Sequence, residues 1–466
     1  MHARMATSTP KVIPPLDPAF APLVLAHRAF RTAVEDSGHA VPLAIGLERH
    51  DGSLSRYDTI IFASGAPGAE DNLAYVERVV KTLLWARGGC KVYLGGPAEI
   101  GDAIARIYSP TGKRAFDVRI MERIYERTFA VVSCTPDEVP PAREGTVRLG
   151  GHLEGCRIGF DAGASDRKVA AVIDGEAVYS EEVVWDPRPQ TDPQYHFDEI
   201  MTALRTAAAH LPHVDAIGIS SAGTYLNNRV RVASLFRGVP EELFETRVAN
   251  LFLEIQRAWN GIPLEVVNDG DVTALAGAMS LDATGVLGVA LGSSEAAGFV
   301  TPEGALTQWL NELAFVPIDA NPSAPADEWS GDIGCGVQYL SQQAVGRLLP
   351  AAGITLDASL GLPERLKAVQ ELAEQGDPRV TPLYETIGCY LGYALAYYAD
   401  FYTIQHALIL GRVTSGDGGQ LILRTANQVL ALEFPALAAQ MTLHLPDEKS
   451  RRVGQAIAAA SLPALP

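Results

Sequence analysis

Short apolar runs, 41–49 and 55–62, flank the turn His50-Asp51-Gly52-Ser53 and read as a pair of strands. Around them apolar residues recur at helical spacing, predicting helices over 18–37, 71–86 and 98–108. Further strands are expected over 91–97 and 129–133. Pro136, Glu138, Pro140 and Pro141 mark 135–145 as a linker. Beyond it strands and helices alternate: strands at 158–161, 216–220, 263–267, 286–291 and 406–410, and helices at 196–209, 241–259, from Val272, then at 337–349, 363–375, 382–401 and 447–460. The stretch 168–178 reads as a hairpin turning at Asp174-Gly175.

Small or acidic residues gather where the strands end. The run 156–160 leads into Asp161-Ala162-Gly163-Ala164-Ser165, and the strand at 216–220 into Ser221-Ala222-Gly223-Thr224. The strand at 263–267 ends in Asn268-Asp269-Gly270-Asp271, and that at 286–291 in Gly292-Ser293-Ser294-Glu295. A carboxylate at a strand end can hold a hydrated magnesium ion, and backbone N–H groups in a small-residue turn can cradle a phosphate. Strand ends of this kind in two successive α/β halves predict a ligand cleft between the halves. The expected organisation is a flexible tail (1–15) and an N-terminal accessory α+β module (16–150). A first lobe (151–281, completed by the helix 447–460) and a second lobe (282–446) follow.

Composition narrows the function. The 466 residues exceed one compact core, and 47% apolar with 20% charged fits an ordinary folded protein. A net charge of -18 argues against nucleic acid or an anionic membrane as partner. Five dispersed cysteines without a CxxC pair favour reduced thiols. With no membrane-length apolar run, the expectation is a cytoplasmic protein. The ten histidines show no metal-ligand spacing; His196, His210 and His213 are expected at helix ends.

The order of strand ends resembles the ROK family of sugar kinases, within the actin-like ATPase superfamily, over about 155–466. The 161–165 turn is similar to the family's first phosphate loop, and 217–223 to its Gly-Ile-Gly-x-Pro-Gly strand end. Val266 to Gly277, with Asn268-Asp269 before an alanine-rich helix, is the most specific match. The stretch 288–298 is similar to the second phosphate loop. Residues 311–315 stand at Gly-Glu-x-Gly-His, 334–341 at Gly-Cys-Leu-Glu-x-Tyr-x-Ser, and 408–411 at the late strand near the adenosine. Phe315 stands where the family has a zinc-binding, sugar-contacting His, and Val337 where it has a Glu; only Cys335 of the cysteine cluster remains. One cysteine cannot make a tetrahedral zinc site, so no zinc is expected. The N-terminal module does not resemble the winged helix-turn-helix of the family's repressors.

The resemblance implies two ribonuclease H-like lobes with an interlobe cleft, plus the α+β module, and ATP-dependent phosphorylation of a sugar or polyol hydroxyl. Asp269 is the expected general base, unless it only caps the following helix. Asn268, Glu312, Ser221 and Gly223 are expected at the sugar, with an Asx turn as the other reading of Asn268 and a surface carboxylate that of Glu312. Gly163, Ser165, Lys168, Gly292, Ser293, Ser294 and Gly411 are expected at the nucleotide, with Lys168 otherwise a solvated hairpin charge. Asp161 is expected to bind Mg2+ through water. Trp309 and the stretch 327–332 offer aromatic faces and carboxylates to a polyhydroxylated ligand, or pack in an interface. The N-terminal module would cover the cleft or mediate a homodimer. The rivals are a non-catalytic sugar or nucleotide sensor on the same scaffold, and an ATP-using activator of another protein.

Overall fold

The computed structural model describes residues 9–144, 146–147, 150–163, 166–446 and 448–465, the side chains at 146–147 and 448–453 excepted. They form two compact units. One comprises residues up to 145 with 290–296 and 309–445; the other comprises 146–289, 297–308 and 446 onward.

The first unit opens with α1 (Leu23–Asp36), β1 (Ala40–Glu48), β2 (Leu54–Phe62), α2 (Asn72–Arg87), β3 (Lys91–Gly95), α3 (Ala98–Ile107), α4 (Ala115–Tyr125) and β4 (Ala130–Cys134). Its sheet has the order β2-β1-β3-β4. The β1–β2 pairing is the expected hairpin; α4 was not expected. Residues 9–15, expected as part of a loose tail, and the start of the module at Leu16 are bonded to a helix far along the chain. The Val12 N–H meets Tyr393 Oη at 3.3 Å, and the Leu16 N–H meets Thr386 Oγ1 at 3.0 Å. The linker expected at 135–145 is also tied down, because Arg143 and Leu54 exchange backbone hydrogen bonds at 2.8 and 2.9 Å.

The second unit contains β5 (Thr146–Val147), β6 (Cys156–Ala162), β7 (Asp166–Ile173), β8 (Glu176–Val184), α5 (Pro193–Ala208), β9 (Ala216–Ser221), β10 (Thr224–Leu226), β11 (Arg229–Val232), α6 (Glu241–Leu243), α7 (Leu251–Ala258), β12 (Leu264–Asn268) and α8 (Asp269–Leu281). Next come β13 (Val286–Leu291) and β14 (Glu295–Val300), each divided between the units, and β15 (Leu306–Thr307). The single helix expected over 241–259 is broken, with a π-helical stretch at 244–248 between α6 and α7. The β10–β11 hairpin, turning at Asn227-Asn228 with both φ positive, was not expected. The main sheet runs β12-β9-β6-β7-β8. Its β12, β9 and β6 are parallel, and β6, β7 and β8 antiparallel. This is the ribonuclease H-like arrangement that the resemblance implies. Asp174 and Gly175, at φ 48° and 86°, make the expected β7–β8 turn.

The first unit is completed by α9 (Gln342–Leu348), α10 (Leu362–Glu374), α11 (Val380–Tyr398), β16 (His406–Leu410), α12 (Asp417–Glu433), α13 (Pro435–Ala438) and β17 (Thr442–His444). The helix expected from 337 starts only at Gln342, after a 3-10 turn, and α12 was not expected. The last helix, α14 (Glu448–Ala460), returns to the second unit.

Strand alternation decides what each face of the main sheet carries. Ile158, Phe160, Val169, Ala171, Ile217 and Ile219 enter one core with side chains of α5 and α7. Ala170 and Val172 face the other way, against Ala456 and Ala460 of α14. On that face β6 and β9 carry Gly159 and Gly218. A Cβ at either position would overlap a carbonyl oxygen of α14, Ala456 or Ala459 respectively. Arg157, fully buried on the same face, donates to the Pro463 carbonyl at 2.7 Å and to that of Ala460 at 3.4 Å, at the end of α14. Gly159→Ala is expected to lower stability by about 1–3 kcal/mol through overpacking. By contrast, a Cβ at Gly454 within α14 meets nothing. Gly454→Ala is therefore expected to raise stability by about 0.5–1 kcal/mol. Urea unfolding of the two variants checks both signs.

Candidate active site

The parity that puts Gly159 under α14 puts Asp161 on the same face at the carboxyl end of β6. The register sets Asp161 opposite Lys168 on β7 and Ser220 on β9. Ser220 Oγ donates to Asp161 Oδ1 at 2.8 Å, and Lys168 Nζ stands 3.8 Å from Oδ2 and 3.1 Å from Asp166. Lys168 is thus paired with carboxylates, not a solvated hairpin charge. Burial raises the Asp161 carboxyl above its ordinary value, against the pull of Lys168 and the Ser220 hydroxyl. Ser221, the residue singled out from sequence, points elsewhere and accepts from Tyr225 Oη at 2.7 Å.

Two strands away β12 ends in Asn268. Its Oδ1 accepts from the Gly270 N–H at 2.7 Å, capping α8, and its Nδ2 donates to the Gly223 carbonyl at 2.7 Å. The capping role left open in the sequence thus falls to Asn268 itself. Asp269 is the first residue of α8, three residues before the expected start, and takes a 3.0 Å bond from the Gly270 N–H. Burial pushes its carboxyl up to about 6, with the negative charge of Asp161 adding to the effect. A shift of that kind marks two carboxyl groups sharing a poorly solvated place. Asp161, Lys168, Ser220, Asn268 and Asp269 therefore form one neighbourhood within the second unit. Gly163, whose carbonyl accepts from Trp185 Nε1 at 2.8 Å, leads toward it; Ala164 and Ser165 lie outside the described residues. The Asp161 carboxylate is a hard oxygen donor of the type magnesium takes.

The remaining candidates belong to the first unit. Ser293 and Ser294 are exposed after β13. The Gly292 N–H is used inside its own turn, donating to the Ser294 carbonyl at 2.9 Å, and the Ser294 hydroxyl donates to the Glu295 carbonyl at 3.4 Å. Gly411, at φ 97°, lies so close to Leu291 that a Cβ would overlap its carbonyl oxygen. The turns ending β13 and β16 are therefore neighbours.

Two features here were missed from sequence. Glu295 is buried directly after the serine turn; its Oε1 accepts from Tyr398 Oη at 2.9 Å and its Oε2 has no protein partner. Burial pushes this carboxyl to about 8, with the charge of Glu312 adding to the rise. The second feature is the setting of 311–315. The Asn311 and Glu312 N–H groups donate at 2.9 and 3.0 Å to the carbonyls of Ala86 and Trp85, at the end of α2. Phe315 stacks on Trp85 at 4.2 Å. Half-buried Glu312 is thus held by the N-terminal segment. The aromatic and acidic cluster expected to offer faces to a ligand is largely used internally. Trp309 takes the Arg87 guanidinium on its face at 4.7 Å and donates to Glu144 at 3.0 Å, while Asp332 binds Arg78 and Arg114 at 2.7 Å each.

No family model matches the sequence, and no curated protein does. Among solved structures, the ROK hexokinase of Thermus thermophilus matches over 66% of this chain and 97% of its own, at 17% identity and a TM-score of 0.50. A ROK family transcriptional regulator, a homologue of the E. coli MLC protein, matches over 66% of this chain and 79% of its own, at 20% identity and a TM-score of 0.51. The likeness is one of fold: the chain has the architecture shared by ROK sugar kinases and ROK regulators, at low sequence identity.

Glu295 makes stability depend on pH. Its carboxyl has an ordinary value near 4.5 and a folded-state value of about 8. The folded protein keeps the proton that the unfolded chain releases, so this group's contribution is full below pH 4.5 and is lost as pH rises through 8. Glu295→Gln, an isostere that cannot ionise, is expected to match the parent's melting temperature at pH 5 and exceed it at pH 8; a constant difference across that range would contradict the assignment.

Proposed function

We propose that this chain is a divergent ROK-type kinase that transfers the γ-phosphoryl group of ATP to a hydroxyl of a sugar or sugar-like polyol, with Asp269 as general base. The observation that carries the reading is the Asp269 carboxyl at the start of α8, raised to about 6 beside a second buried carboxylate. A base poised near neutrality accepts the hydroxyl proton as the bond to phosphorus forms. Asn268 orients the loop in front of Asp269 through Gly223, and its second amide hydrogen is the group that would meet the sugar. Gly223 would line the sugar side, with Glu312 as its further acidic contact. Asp161, steadied by Ser220, would hold Mg2+ through water, and the metal would neutralise phosphate charge when bound. Lys168, Gly163, Ser165, Ser293, Ser294, Gly292 and Gly411 are assigned to the nucleotide. Phe315 and Val337 remove two polar contacts from the sugar side, so a substrate other than glucose fits better.

Two observations favour a second reading, a sensor that binds the sugar without turnover: Phe315 is packed on Trp85, and the fold is shared with a ROK regulator. A screen of hexoses, amino sugars and polyols with Mg-ATP separates the two. The kinase reading expects turnover, falling as pH drops below about 6 while Asp269 takes up its proton. It also expects Asp269→Asn to lose about 10²–10⁴-fold in rate. Turnover that survives this substitution overturns the base assignment. A sugar that raises the melting temperature without turnover identifies the sensor.

Among the described residues, no helix is long and apolar enough to cross a membrane.

A further inference from the structure

At the opposite end of β6 from Asp161 three side chains of different chemistry converge. Cys156 is the first residue of the strand, and its side chain is buried. Asp215 directly precedes β9, the parallel neighbour of β6, and His213 lies two residues earlier in the loop from α5. The Asp215 N–H donates to the Cys156 carbonyl at 2.8 Å, and the Cys156 N–H donates to Asp215 Oδ2 at 2.8 Å, fixing the carboxylate beside the thiol. His213 Nε2 stands 3.2 Å from the same oxygen. One ligating atom from each residue, Cys156 Sγ, a His213 ring nitrogen and an Asp215 carboxylate oxygen, lie within 4.8 Å of one another. Neighbouring donor atoms on a tetrahedral zinc ion stand roughly 3.5 Å apart, so small side-chain adjustments suffice. Gly155 makes room: a Cβ there would stand 2.7 Å from Asp215 Oδ2, and its φ is 84°. The Gly155 N–H is held by Asp174 Oδ1 at 2.8 Å, which adds a further negative charge nearby. His213 is well exposed, so an ion has a path in.

We propose that Cys156, His213 and Asp215 form a site for a borderline-soft divalent ion of the zinc class, separate from the candidate active site. Sulfur, nitrogen and oxygen donors together select such an ion over magnesium or calcium, and three protein ligands leave the fourth position to water. On binding, the Cys156 thiol gives its proton to solvent and its sulfur bonds the ion, while neutral His213 and ionised Asp215 supply the other two bonds. One thiolate and one carboxylate then balance the dication. Five residues separate Cys156 from Asp161, about 16 Å along the strand, so the ion would not touch the groups assigned to phosphoryl transfer. Its effect is to fasten the starts of β6 and β9 together. The ligand set shares no position with the zinc site of the ROK pattern, whose places are held here by Phe315 and Cys335.

Cobalt(II) is the probe, because a thiolate bound to it gives a near-ultraviolet charge-transfer band and tetrahedral geometry gives strong visible bands. The full, reduced chain is expected to show both on titration, saturating at one equivalent, and zinc is expected to displace them. Cys156→Ser should abolish the near-ultraviolet band, and Cys134→Ser, at the half-exposed cysteine, should keep it. His213→Ala, at an exposed loop position, should weaken binding by about tenfold or more. Zinc should raise the melting temperature of the parent and not of Cys156→Ser. Absence of the band in the parent, its persistence in Cys156→Ser, or unchanged affinity in His213→Ala would each overturn the site.

Discussion

Lys81 has no exposed side-chain surface, and the first unit is organised around keeping its charge paired. Its ammonium lies 3.1 Å from Asp117 and 3.4 Å from Asp332. Asp332 also takes Arg78 and Arg114, and Glu77 takes Arg114 in turn. Burial alone would raise the Asp332 carboxyl, but Arg78, Lys81 and Arg114 hold it well below the usual range. Leaving one member of such a set unpaired costs about 3–5 kcal/mol, whereas the intact set contributes little net stability. Its value is positional. Helices α2 and α4 bring four of the six charges, Arg114 stands directly before α4, and the 327–332 turn brings the sixth, so that turn is fixed to the N-terminal segment.

That constraint extends to the candidate sugar side. Trp85, one helical turn beyond Lys81, donates its indole N–H to Asp117 at 2.8 Å and offers its face to Phe315. The carbonyls ending α2 then take the N–H groups of 311 and 312. The N-terminal segment thus supplies the wall against which 311–315 folds. Glu312 owes its position to residues more than 200 places earlier in the chain.

How much of this could be read from the amino acids depended on distance along the chain. Each strand end declared itself, because an apolar run stopping at Asp161, Asp269 or Gly292 is a local signal. The choice between Ser220 and Ser221 was not local: it needed the β6–β9 register, which one strand's pattern does not contain. Helix α12 was missed because glycines interrupt a helical pattern, yet Gly418 and Gly419 lie in its first turn, packed on Tyr384 and Thr414. The break at 244–248 left the apolar spacing of 241–259 intact. Glu295 looked like one more polar residue at a strand end, since only tertiary burial makes it unusual. His213 and Cys156 lie 57 places apart, beyond any spacing rule.

The fit of α14 against Gly159 and Gly218 has a bearing on biosynthesis. Strands β6 and β9 emerge from the ribosome more than 220 residues before the helix that covers one of their faces. Throughout that interval two bare glycine stretches and the buried guanidinium of Arg157 await a cover. Nascent chains of this protein must therefore carry a half-covered sheet until α14 has been made.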